Sequence, residues 1–195
     1  MYKKLFPIFQ TIFLFLIISC GSDQGDISSV PQPTTKASKI FYQNDFAFHF
    51  GHQKGFNYSQ LKVKKDINFL LLDGSYMEVD YYDMKKFNSW FYDLKFNNGV
   101  MAIDQKENLD CDNFALLYKS LFSVSHYKSD AEQEPAVALV IVEQKFSFGG
   151  IPKGGLHMLN LIFTNNGWYI FEPQTGKSIV LEDYVNQEFI QFIII

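Results

Sequence analysis

The 195-residue sequence predicts an α+β domain over residues 40–195, and three patterns predict it. Residues 82–96 set Met84, Phe87, Phe91 and Leu94 at helical spacing, which makes an amphipathic helix. Residues 111–122, CDNFALLYKSLF, do the same with Phe114, Leu117, Tyr118, Leu121 and Phe122. Residues 157–176, HMLNLIFTNNGWYIFEPQTG, form two runs rich in aromatic and branched side chains around Asn165-Asn166-Gly167. Such runs favour a pleated surface and those three residues tolerate positive φ, so a β-hairpin is expected.

Ahead of the domain, residues 1–19 read as an export signal. Lys3 and Lys4 precede an apolar run over residues 5–19 broken only by Pro7, Gln10 and Thr11, too short and interrupted for a stable membrane-spanning helix. It closes on Ile17-Ile18-Ser19-Cys20-Gly21, which resembles the lipobox of bacterial lipoproteins. That resemblance implies cleavage before Cys20 and acylation of its sulfur, hence an exported protein held by lipid to a membrane of the bacterial cell envelope. More than one acyl chain would make the anchoring stable. Residues 20–39 carry almost no large apolar side chain after Cys20, and are expected to be a flexible tether. The remaining length suits one domain with one core. The chain has a net charge of −4, and all of its 17 basic residues are lysines. No lysine-dense stripe exists, which argues against a nucleic-acid partner and against adhesion to anionic lipid.

With Cys20 acylated, Cys111 is the only thiol left, and no internal disulfide can form. A lone thiol in an exported protein is either a small buried side chain or a nucleophile. Asn108 or Asp110 can cap the following helix and place Cys111 in its first turn, where the helix N-terminus favours a thiolate. Asp110 and Asp112 oppose this, so a nearby imidazolium is needed. Of His49, His52, His126 and His157, only His157 opens a strand with an acid, Glu172, within the same hairpin. No spacing brings three metal ligands together, and neither metal nor cofactor is expected.

Hairpin parity can be worked out directly. A four-residue loop at residues 164–167 sets Leu159 opposite Glu172 and Gln174 opposite His157. Glu172 is then a diagonal neighbour of His157 at about 7–8 Å, within side-chain reach. A two-residue loop at Asn166-Gly167 would put Glu172 about 13 Å along the strand, out of reach. The pair therefore needs the first register, in which Gln174 is the rival orienting group.

A cysteine opening a C-x-x-F-A helix, a histidine opening a strand, and Gly167-Trp168 followed by Glu172-Pro173-x-Thr175 together resemble the transglutaminase-like superfamily of papain-like cysteine proteins. The match spans roughly residues 108–176. It implies a papain-like or transglutaminase-like core in which the helix bearing Cys111 packs on an antiparallel sheet bearing His157 and Glu172. It also implies Cys111 as nucleophile, His157 as base and Glu172 as orienting acid. Asn113 stands where the family often has aspartate, Leu159 where it often has tryptophan, and Glu172 where aspartate is usual. Asn113 and Gln174 are accordingly substrate-contacting or orienting candidates. Gln43 and Gln105 lie upstream, where papain-like enzymes often use a glutamine, but their spacing identifies neither. The glycine pairs Gly149-Gly150 and Gly154-Gly155 lack the ending of a phosphate loop and read as a flexible flap before His157. The expected function is acyl transfer by a Cys-His-Glu triad on a peptide or protein amide, as a peptidase, amidase or transamidase. The alternative is a non-catalytic binding or scaffold lipoprotein that retains the fold.

Overall fold

The computed structural model describes residues 29–34, 40–42, 67–97, 110–129 and 132–195. Among them, β1 (Ile40–Tyr42), β2 (Asn68–Leu70) and β3 (Ser75–Met77) precede two long helices, α1 (Tyr81–Asn97) and α2 (Cys111–Tyr127). The chain continues through β4 (Glu134–Pro135), β5 (Val137–Glu143), β6 (Leu156–Thr164), β7 (Gly167–Glu172) and β8 (Lys177–Val180). Two short 3-10 turns, Leu181–Asp183 and Gln187–Phe189, lead to β9 (Ile190–Ile194).

Six strands form one sheet in the order β2-β9-β5-β6-β7-β8, in which β9 through β8 run antiparallel and β2 is parallel to β9. Strands β1, β3 and β4 make a second, smaller sheet. Side chains alternate between faces along each strand, and both faces of the larger sheet are covered. On one face, Met84, Phe87 and Phe91 of α1 and Tyr118 and Phe122 of α2 pack on Val137, Ile162 and Phe171. On the other, Ala138, Val140, Leu159, Leu161 and Ile170 are closed in by Phe148, Leu181 and Tyr184.

The expected papain-like or transglutaminase-like α+β core is corrected by this architecture. The described residues are predominantly β, with nine strands against two helices and a five-strand antiparallel run as the body of the molecule. The physical reason lies in strands such as β5, VALVIVE, buried on both faces. They carry continuous apolar runs instead of an alternating pattern, and only the run marked by a turn could be read as a hairpin.

The hairpin tip is docked to the start of α1. Val79 N–H donates to the Phe163 carbonyl at 3.0 Å and Asn165 N–H to the Val79 carbonyl at 3.1 Å. Asn165 Oδ1 accepts the Tyr81 N–H at 3.0 Å, while Asp80 Oδ1 caps the helix by accepting from Tyr82 and Asp83. Within the segment read as a tether, residues 29–34 pack on the helices. Val30 is buried in the α1–α2 cluster, and both Thr34 N–H and Oγ1–H donate to the Asp83 carboxylate.

Candidate active site

Cys111 is the first residue of α2, and the turn before it fixes the helix start. Asp110 is extended, with φ −110° and ψ −164°, and its carbonyl accepts the Phe114 N–H at 3.2 Å. Asn113 Oδ1 accepts the Asp110 N–H at 3.2 Å. Asn113 thus supplies the returning half of a capping box and satisfies a donor the helix cannot. Further along, Asn160 Nδ2 donates to the Ala115 carbonyl at 3.0 Å, and the Lys119 ammonium donates to the Val137 carbonyl at 2.6 Å. These bonds tie α2 to β6 and β5, with Phe114, Ala115 and Tyr118 buried beneath it.

His157 and Glu172 come from the hairpin. The ladder pairs Asn160 with Phe171 and Thr164 with Gly167, the register that sets Leu159 opposite Glu172. The strands run one pair further, Thr164 with Gly167, than a four-residue loop requires, so the turn itself is only Asn165-Asn166. In this register the two side chains meet, and His157 Nε2 and Glu172 Oε2 are 2.5 Å apart. The other carboxylate oxygen, Oε1, accepts the backbone N–H of Gln174 at 2.8 Å. Gln174, expected as a substrate or orienting residue, therefore holds the acid through its main chain. Its N–H and the His157 ring occupy both oxygens of a carboxylate that is 0% exposed.

Cys111 meets the same ring. Burial of His157 disfavours its cation, but hydrogen bonding to Cys111 and Glu172 and the charge of both outweigh it, pushing the ring up to about 9. Accessibility grades along the chain of groups. Cys111 is half-buried, His157 is 7% exposed and Glu172 is sealed. Beside the thiol, Asp112 is raised above the usual carboxylate range by its hydrogen bond to Asp110, then by burial and the charge of Asp110. A carboxyl whose ionisation is disfavoured in this way opposes a neighbouring thiolate less than an ordinary carboxylate does.

The other singled-out residues fall elsewhere. His126 is a core side chain near the end of α2, stacked on Phe122 with Nδ1 against the Phe122 carbonyl, and burial lowers its pKa. Cys20, Gln43, His49, His52 and Gln105 lie outside the described residues. Among the described residues, no helix is long and apolar enough to cross a membrane. Two contributors were missed in the sequence. Asn160, fully buried, was signalled only as a polar residue inside an apolar strand, and Gly149 was signalled by its glycine pair. The supposed flap is tied down. Phe148 and Ile151 exchange backbone hydrogen bonds at 3.0 and 2.9 Å, and Gln144 Nε2 donates to the carbonyls of Ile151 and Pro152.

No family model matches the chain, and no curated protein does. Among solved structures it is similar to one described as a PSL1a-E64 complex, at 19% identity and a TM-score of 0.49, over 73% of this chain and 50% of that one. It is also similar to Polyporus squamosus lectin bound to a human-type influenza-binding epitope, at 16% identity and a TM-score of 0.46, over 71% of this chain and 47% of that one. The chain thus spans about half the length of these structures, and at such scores neither likeness transfers a function to it.

Proposed function

We propose that the protein is a cysteine acyl-transfer enzyme acting on a peptide or protein amide, held to a membrane of the bacterial cell envelope by a lipid on Cys20. The observation that carries the catalytic part is the unbroken line from the sealed Glu172 carboxylate through the His157 ring to the half-buried Cys111 thiol. Glu172 fixes the ring and stabilises its cation, and the ring in turn draws the proton from the thiol. The Cys111 thiolate attacks the amide carbonyl carbon, and the carbonyl π electrons move to oxygen. As the carbon–nitrogen bond breaks, the imidazolium delivers its proton to the departing amine, leaving a thioester. Water or a second amine then attacks the thioester carbon, with His157 taking its proton. The products are an acid or a new amide, and the regenerated thiol.

The test uses an activated ester, which needs no knowledge of the natural substrate. Incubation with p-nitrophenyl acetate near neutral pH should release nitrophenolate and add one acetyl group to Cys111, located by intact mass and peptide mapping. The Cys111→Ser variant should gain none at that position. Acetylation spread over lysines, with Cys111 untouched, would instead support the binding or scaffold reading.

A further inference from the structure

The acid of the triad has a neighbour that no catalytic role requires. Gly149 has φ +60°, and a Cβ built on it would lie 2.9 Å from Lys177 Cβ, 3.0 Å from Thr175 Oγ1 and 3.4 Å from Glu172 Cγ. The first of these separations is one that real side chains do not tolerate, so the main chain at Gly149 lies against the β7–β8 turn only because the residue is glycine. The loop that carries it is pinned at several points. Gln144, buried at the end of β5, holds the carbonyls of Ile151 and Pro152 through Nε2, at 3.2 and 2.8 Å. Gln144 N–H also donates to the Gly155 carbonyl, and Gly154 N–H donates back to the Gln144 carbonyl. Phe148 is buried with its ring edge-on to Tyr184, 4.9 Å between centroids. Glu172, beneath Gly149, is 0% exposed.

We infer that residues 144–155 form a fixed cap over the Glu172 carboxylate, and that Gly149 is a positioning residue whose missing side chain lets the cap exclude water from the Glu172–His157 pair. The inference rests on the acid–base reading of that pair and adds what maintains it. Excluding water strengthens the attraction between carboxylate and imidazolium, because an unscreened charge acts across a lower effective dielectric. A lifted cap would hydrate Glu172 and weaken its hold on the ring while leaving all three triad residues in the chain.

Gly150 supplies the control. Its φ is +89°, so alanine there is strained in the same way, but a Cβ at Gly150 meets nothing within 4 Å. The His157 ring is followed by NMR titration in the full chain, its signal identified by its loss in His157→Gln. Wild type and Gly150→Ala should titrate far above the ordinary histidine value of about 6.5, and Gly149→Ala lower than Gly150→Ala by about one pH unit or more. Gln144→Ala, which frees the loop without crowding the turn, should move the ring in the same direction, and it carries the test if Gly149→Ala does not fold. Equal titration in the Gly149 and Gly150 variants, or an unmoved ring in Gln144→Ala, overturns the cap. A wild-type ring that titrates at the ordinary value overturns the acid–base pair itself, which is a different failure.

Discussion

A buried carboxylate is costly unless its oxygens are satisfied, and at Glu172 they are: one meets the His157 ring and the other a backbone N–H. The charge is thereby directed at the ring. Glu172→Gln can still accept the Gln174 N–H but has no charge to give the imidazolium. We expect the ring, at about 9 in the wild type, to fall toward its ordinary value in Glu172→Gln. Glu172→Asp keeps the charge but is one methylene short of both bonds, and should fall between the two. The same shift makes folding depend on pH. A histidine whose folded pKa is raised stabilises the fold fully below its unfolded value near 6.5, and loses that stabilisation as pH rises through about 9. Denaturation followed across that window should show a loss on the order of a few kcal/mol in the wild type and a flatter profile in Glu172→Gln. A wild-type profile as flat as the variant's would contradict the pairing.

At the scale of the elements, the site depends on where α2 sits. Asn160 reaches from β6 to the Ala115 carbonyl, one turn beyond Cys111, and Tyr118 donates its hydroxyl to Asn88 Oδ1 of α1 at 2.5 Å. Asn160→Ala should cost about 1–3 kcal/mol by leaving a small void and removing a buried hydrogen bond. It should also slow Cys111 alkylation by letting the helix start drift from His157. Unchanged alkylation in a destabilised variant would mean that Asn160 serves the core alone. The hairpin and α2 were legible in the sequence because each carries punctuation, Asn165-Asn166-Gly167 in one case and Asp110 before a helical apolar stripe in the other. Of the two registers the loop residues left open, the structure has the one the His157–Glu172 pair requires, although the turn proved tighter than the four-residue loop that led to it. The cap of residues 144–155 was not legible. Its glycines announce a loop, but the Gln144 bonds and the close approach of Gly149 to Glu172 arise only in three dimensions.

For the whole molecule, local pattern was a poor guide to fold class. The sheet is completed by β9, which enters between β2 and β5, pairing parallel with one and antiparallel with the other. Pairings so distant in the chain leave no local periodicity, and the apolar run at residues 189–195 could equally end a helix. The β-dominated body nevertheless delivers the histidine and glutamate from adjacent strands and receives the cysteine from a helix docked on them. The most direct measurement is the rate of Cys111 alkylation by iodoacetamide against pH, in the wild type and in His157→Ala, with melting temperature as the control for folding. The account predicts that the wild-type thiol reacts rapidly well below pH about 8.5, and that His157→Ala moves the profile up toward that ordinary thiol value. A folded wild type whose Cys111 is inert, or whose profile matches that of His157→Ala, would contradict it.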